Sequence, residues 1–144
     1  MTPNRFNEAQ KHSKNKLVCN QVHYNIQYRE AEVRGVLKQA QDNDIMLVAW
    51  RPIQKGSFPT SQLMDELTRK YNKTPMQIAI NWLIAQPNVV TISKTSNREH
   101  LLENLGALDW TMDADDIERI RTDFPEQVTV SDAVPLDYAA DMDP

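Results

Sequence analysis

Apolar positions in this chain follow two rhythms that alternate. Three short runs, Lys16 to Val22, Ile45 to Trp50 and Val89-Val90-Thr91-Ile92, read as strands. Between and after them, apolar residues recur every three or four positions. Val33, Val36, Leu37 and Ala40 predict a helix within Tyr28 to Asn43, and Leu63, Met64 and Leu67 predict another over Ser61 to Tyr71. Thr74 then caps a helix with Pro75 at its first position, where the missing N–H costs nothing, and Pro87-Asn88 breaks it after about Gln86. Asn97 caps a helix to Leu105 whose Leu101, Leu102 and Leu105 are expected to face a core. A last helix begins near Asp113, with acidic residues in its first turn and Ile117 and Ile120 inward. The polar start, Met1 to Asn15, holds one helical stretch, Asn7 to Lys14. Arg51 to Pro59, with two prolines and a glycine, is a loop. From Pro125 the rhythm fails, leaving a tail that either wraps the surface or is disordered.

Strands alternating with helices imply an α/β fold of parallel units with right-handed crossovers. About three parallel strands and five helices are expected. The unbroken apolar run Ile45 to Trp50 suits a strand covered on both faces.

Composition narrows the partners. The 144 residues suit one domain, and an apolar fraction of 40% suffices for a core. The net charge is −4, with both signs interspersed, so neither a nucleic-acid surface nor an acidic tail is indicated. The single cysteine, Cys19, excludes an internal disulfide framework; its neighbours Leu17, Val18 and Val22 predict a buried, inert thiol. His12, His23 and His100 lie too far apart for metal-ligand spacing. No apolar run approaches a membrane span and the start lacks a signal-peptide core, so a cytoplasmic protein without membrane contact is expected. With only Gly35, Gly56 and Gly106 available, a glycine-rich nucleotide loop is absent.

In parallel β–α folds, chemistry gathers at the C-terminal ends of strands. Gln21, Trp50 and Lys94 fall at such ends. An amide can pair with a carboxamide, an indole can stack on a planar ring, and a lysine beside a helix N-terminus can hold a phosphate. Ile92-Ser93-Lys94-Thr95-Ser96-Asn97 carries that last arrangement. Each feature also has a plain structural use. The Ser-Lys-Thr-Ser turn serves as an ordinary connection with a solvent lysine, Gln21 can satisfy backbone groups, and Trp50 can belong to the core. Arg51 can be a solvated loop residue, and Glu103 with Asn104 a polar helix face. His23 near a strand end reads first as a satisfied structural histidine, with a substrate-lining role as the alternative.

The order and spacing of Asn20-Gln21-Val22-His23-Tyr24-Asn25, Leu47-Val48-Ala49-Trp50-Arg51-Pro52-Ile53 and Ile92-Ser93-Lys94-Thr95 resemble the aldo-keto reductase family. The helix Met76 to Leu83 resembles the segment before the last barrel strand, and the likeness runs from about Phe6 to Phe124. It implies the C-terminal half of a TIM (β/α)8 barrel, a fold of typically about 250 residues. Residues 1–124 would form that half and 125–144 a tail.

The resemblance also implies a cofactor, NADP or NAD, bound weakly by a half-barrel. Gln21 would bond the nicotinamide carboxamide and Trp50 stack on its ring. Arg51 and Ile53 would lie along the pyrophosphate. Lys94 and Thr95 would contact the adenosine 2′-phosphate, with Asn97 nearby and Glu103 and Asn104 reaching the adenine. His100 stands where many NADP-dependent members carry an arginine, which leaves the choice between NADP and NAD open. The family's catalytic aspartate, tyrosine, lysine and histidine match no position here, so no catalytic residue is assigned. The implied function is the cofactor-binding half of a carbonyl reductase, inactive alone. The alternative is a non-enzymatic half-barrel for interaction or assembly, because open sheet edges invite self-association.

Overall fold

Three parallel strands run side by side in chain order. They are β1 (Cys19–His23), β2 (Met46–Trp50) and β3 (Val89–Ile92), in the order β1-β2-β3. The structure is a computed structural model that describes residues 1–53, 61–124, 127–133 and 136. Most of the loop expected over Arg51 to Pro59, and most of the tail, lie outside the described residues.

The register sorts side chains onto two faces. His23 pairs with Trp50 and Trp50 with Ile92; Gln21 pairs with Val48 and Val48 with Val90. Alternate residues point to opposite sides of a sheet. Asn20, Val22, Leu47, Ala49 and Val89 therefore share one face, and all are buried beneath helices. Cys19, Met46, Gln21, Val48, Val90 and Ile92 share the other, where Met46 is 45% and Ile92 49% exposed. The unbroken run from Ile45 to Trp50 thus belongs to a strand covered on one face, not two. Cys19, expected buried, is exposed on that open face.

Seven helices are present among the described residues rather than about five. The first, α1 (Pro3–His12), sends Phe6 into the core. The helix expected over Tyr28 to Asn43 is two: α2 (Glu30–Val33) and α3 (Val36–Asp42), separated where Gly35 adopts φ 71°. A left-handed residue cannot continue a right-handed helix, and glycine takes that conformation without steric cost. The break turns Val33 outward, 62% exposed, while Val36, Leu37 and Ala40 stay inside. Ser61 caps α4 (Gln62–Tyr71), which buries Met64 and Leu67. Thr74 and Gln77 form a capping box at the start of α5 (Pro75–Ile84), whose Ile78, Trp82 and Leu83 lie at the centre of the core. Asp113 precedes α7 (Ala114–Asp123), which buries Ile120.

The remaining helix, α6 (Arg98–Leu105), departs most from expectation. It has no buried residue, and Leu101, Leu102 and Leu105 are 48%, 54% and 50% exposed. Its spacing marks an apolar face correctly, but nothing in the described chain lies opposite. It is tied to α5 by backbone approach: a Cβ on Gly106 would sit 2.2 Å from Gln77 Nε2, which donates to the Glu103 carbonyl at 3.0 Å.

A polar layer joins the start of α2 to the ends of α5 and α7. Arg29 stacks its guanidinium 4.3 Å from the Trp82 ring centre and donates to the Ile120 carbonyl at 3.1 Å. Arg121 pairs with Glu32 at 2.7 Å, and the Tyr24 hydroxyl lies within hydrogen-bond reach of both Glu32 and Gln86.

Of the two fates open to the tail, its described part takes the first. Val128 forms a parallel bridge with Tyr28, donating to the Gln27 carbonyl at 2.7 Å and accepting from Arg29 N at 2.9 Å. The buried carboxylate of Glu30 then accepts the amides of Ser131 at 3.0 Å and Leu136 at 2.9 Å. The described segment, residues 127–133, is thereby laid beside the C-terminal end of β1.

Candidate functional site

The C-terminal ends of β2 and β3 and the side of α6 enclose a cleft of about 810 Å³. That volume lies within the range of small-molecule sites, roughly 300–1,000 Å³. Trp50, Arg51, Pro52 and Ile53 form one wall; Ile92, Ser93, Lys94 and Thr95 form the floor; His100, Glu103 and Asn104 of α6 form the far wall, with Met76 of α5 beside them.

Local chemistry fixes each wall. The chain turns sharply after β2, with Arg51 at φ 53°. A residue with a side chain is strained in that region, and Asn25 stabilises it by donating from Nδ2 to the Arg51 carbonyl at 2.7 Å. Asn25 is in turn fixed, because its Oδ1 accepts from Gln27 N at 2.9 Å and Tyr28 N at 3.0 Å. The Arg51 guanidinium lies 5.2 Å from the Trp50 ring centre and 3.8 Å from the Asp132 carboxylate. Thr95 Oγ1 accepts from Asn97 N at 3.1 Å and donates to its carbonyl at 3.3 Å, tightening the turn before α6. Asn97 accepts from Glu99 N at 2.7 Å, as an N-cap does. Asn104 donates to Ser93 Oγ at 3.3 Å, joining the far wall to the floor.

Eight of the ten residues expected at a cofactor line this one cleft: Trp50, Arg51, Ile53, Lys94, Thr95, His100, Glu103 and Asn104. Two do not. Gln21 sits in the middle of β1, exposed on the open face and one row below the His23–Trp50 pair. Asn97 is occupied as the cap of α6. Lys94 is exposed and enters no ion pair among the described residues, so its charge is available to an anion. No group of three or more acidic, histidine or cysteine side chains among the described residues could hold a metal.

Behind the cleft stands His23, the satisfied structural histidine expected at that strand end, although the sequence did not show its partners. His23 is 3% exposed and stacks on Trp50, ring centres 4.6 Å apart and planes 20° apart; Tyr28 stacks on its other face at 4.4 Å. Its Nδ1 meets Ser131 Oγ at 2.5 Å and its Nε2 meets Asn25 Nδ2 at 3.3 Å. Burial first, and then the Arg51 charge, lower the His23 pKa to about 4, against the pull of Asp132. No signal along the chain could join His23 to Ser131, 108 residues away.

Two described tyrosines, Tyr24 and Tyr71, are held as neutral phenols, and Tyr71 donates to the Asp116 carboxylate that also pairs with Lys70. Burial and the neighbouring Glu32 push Tyr24 far above the ordinary phenol range. Burial and the hydrogen bond to Asp116 raise Tyr71. Neither lines the cleft.

With this geometry in view, the sequence model of the aldo/keto reductase family matches residues 1–122, most of the chain. The chain belongs to the aldo/keto reductase family. Among curated relatives of this aldo/keto reductase family member, the 9,11-endoperoxide prostaglandin H2 reductase of Trypanosoma cruzi is 28% identical over 121 residues, covering 82% of this chain and 41% of that protein. The glyoxal reductase of Bacillus subtilis is 27% identical over 113 residues, covering 78% of this chain and 40% of its own length. Among solved structures, the thermostable aldo-keto reductase Tm1743, in complex with the inhibitor epalrestat, aligns with a TM-score of 0.78 at 33% identity, covering 83% of this chain and 44% of that one. MGS-M4, from a deep-sea metagenome library, aligns with a TM-score of 0.80 at 23% identity, covering 96% of this chain and 50% of that one. The chain thus spans about two fifths of the length of these curated relatives, and its three-stranded sheet corresponds to part of a (β/α)8 barrel.

Proposed function

We propose that this aldo/keto reductase chain is the cofactor-binding half of an NAD(P)H-dependent aldehyde or ketone reductase. Residues 1–124 supply the half-barrel and 125–144 an appended segment. The observation that carries the reading is the convergence of eight separately assigned residues on one cleft. Lys94, with Thr95 and the end of α6, takes a phosphate on the adenosine; Glu103 and Asn104 border the adenine; Arg51 and Ile53 lie along the pyrophosphate. Trp50 offers an indole to the nicotinamide, and Gln21 an amide from the neighbouring row. A bound reduced nicotinamide would supply a hydride. The cleft residues bind and orient it, and His100, in place of an arginine, leaves NAD as well as NADP acceptable. NADPH complexes of two structural neighbours, a mutant of Gox0644 and AKR2E5, are in keeping with that cofactor class.

On this reading the chain alone transfers no hydride. No described tyrosine, lysine and carboxylate meet beside the cleft to donate the proton. Titration calorimetry of the full chain tests binding: weak saturable binding of NADP, tighter than that of NAD, is expected, and saturation by neither removes the reading. NAD(P)H oxidation with a panel of aldehydes and ketones tests inactivity. Turnover abolished by mutating a residue of this chain would overturn that part.

A second reading rests on the open face. Met46, Val90 and Ile92 are exposed on one side of the sheet, and β1 and β3 each have an unpaired edge among the described strands. Of the two, β3 is an apolar edge without charged residues, the kind that favours pairing with another chain. As an assembly module, the protein would associate with itself through that face. Light scattering decides: a monodisperse monomer across a wide concentration range excludes it.

A further inference from the structure

We propose that His23 and Ser131 are positioning residues for Trp50: the C-terminal segment, acting through them, fixes the plane against which a planar nitrogen heterocycle in the cleft stacks. The inference rests on the reading of Trp50 as a ring platform. It adds the turn at Ser131 to the site, although neither His23 nor Ser131 touches the cleft.

Hydrogen bonds decide the state of the imidazole. Asn25 cannot rotate its amide, because Oδ1 already accepts two backbone N–H groups. Its Nδ2 therefore donates to His23 Nε2. Nε2 must then be the unprotonated nitrogen, and Nδ1 carries the hydrogen that Ser131 Oγ accepts at 2.5 Å. Ser131 Oγ also accepts from Ala133 N at 3.2 Å. The serine is thus an acceptor held by its own turn, and the turn is held by Glu30 through the Ser131 amide. One tautomer and one ring orientation satisfy this set. A protonated imidazole would place Nε2–H against the Asn25 amide hydrogens, and the lowered His23 pKa agrees with that exclusion.

A ring fixed at both nitrogens and stacked on both faces cannot rotate about its bond to the chain. Trp50, the last residue of β2, has His23 against one face, while the ring also borders the cleft. Without that backstop, an indole at a strand end samples other rotamers. Ordering it in advance removes that entropy from ligand binding. Offset stacking contributes about 0.5–1.5 kcal/mol beyond area, which corresponds to roughly two- to tenfold in affinity.

Fluorine NMR of the full chain grown with 5-fluorotryptophan tests this. Three lines arise from Trp50, Trp82 and Trp110, and Trp50→Phe assigns the first. Ser131→Ala and His23→Gln are each expected to shift or broaden the Trp50 line while those of Trp82 and Trp110 stay in place. His23→Phe, which keeps a flat ring without the serine bond, should leave the Trp50 line sharp and make it indifferent to Ser131→Ala. An unmoved Trp50 line in both Ser131→Ala and His23→Gln overturns the proposal, as does equal movement of all three lines. In a second arm, Ser131→Ala should weaken NADP about two- to tenfold and leave adenosine 2′,5′-bisphosphate, which lacks the nicotinamide ring assigned to Trp50, unchanged. Equal weakening of both probes also overturns it. Should the wild type bind neither probe, the cofactor reading fails, and the ligand-free spectra still decide the role of His23 and Ser131.

Discussion

The carboxylate of Glu30, 1% exposed, accepts the backbone amide of Ser131 at 3.0 Å across 101 residues of chain. Its second oxygen takes the amide of Leu136. One side chain of α2 thus binds two points of a segment with little apolar anchoring of its own. Bonds to a charged acceptor contribute about 1.5–3 kcal/mol, against about 0.5–1.5 for neutral ones. Glu30→Gln should therefore loosen the segment by roughly 1–3 kcal/mol while leaving the sheet intact. Hydrogen exchange reads this directly: the amides of Ser131 and Leu136 should lose protection, and those of β2 should not.

The His23 pKa near 4 gives stability a pH dependence whose sign is fixed. An unfolded histidine titrates near about 6.5. Above that pH both states are neutral and the shift contributes nothing. As pH falls through it, the unfolded chain binds a proton that the folded chain refuses. Stability then drops by up to about 1.4 kcal/mol per pH unit, until the folded state protonates near pH 4. Urea midpoints between about pH 7 and pH 5 should fall for the wild type and stay flatter for His23→Phe.

Much of this molecule is legible in the sequence because its signals are local. The strand Val89–Ile92, the Asn97 cap and the Thr74-Pro75 start are each written in a few adjacent residues. The cleft was legible for the same reason: its walls are contiguous motifs that a parallel sheet must bring to one end. What lay hidden depends on residues far apart or not opposed. Spacing marked Leu101, Leu102 and Leu105 as a face but cannot say what covers it. The neighbours of Cys19 suggested burial, yet alternation along β1 sends it to the open side. Gly35 divides α2 from α3 through its backbone, a cue easily outweighed by four apolar residues at helical spacing.

Gly106 sets how closely α6 approaches α5. A methyl group there would displace Gln77, which serves the capping box through Oε1 and the Glu103 carbonyl through Nε2. Overpacking of this kind costs about 1–3 kcal/mol. Gly106→Ala should destabilise by that amount in urea unfolding. Pairing it with Gln77→Ala should recover part of the loss, since the Gln77 clash is then gone and only the tight approach to the Glu103 carbonyl remains.

Phosphate recognition should divide between Lys94 and His100. A charge-assisted bond to an exposed phosphate is near the lower end of about 1.5–3 kcal/mol. Lys94→Ala should therefore weaken NADP roughly tenfold while leaving NAD nearly unchanged. His100→Arg should move preference toward NADP, because a guanidinium can hold a phosphate through two bonds. Calorimetric titration of both dinucleotides against both variants measures the effect. Equal losses for NADP and NAD in Lys94→Ala would remove its assigned role.

The strand order has a kinetic meaning as well. Because β1, β2 and β3 are neighbours in space in the order in which they occur along the chain, Cys19 meets Met46 and Leu47 meets Val89 without any contact between the first strand and the last. Loop-closure entropy is met in two separate steps, each spanning one crossover of two helices, and no single event must bring the ends of the sheet together. Such an order lets the sheet extend one strand at a time, each new strand docking on the one before it.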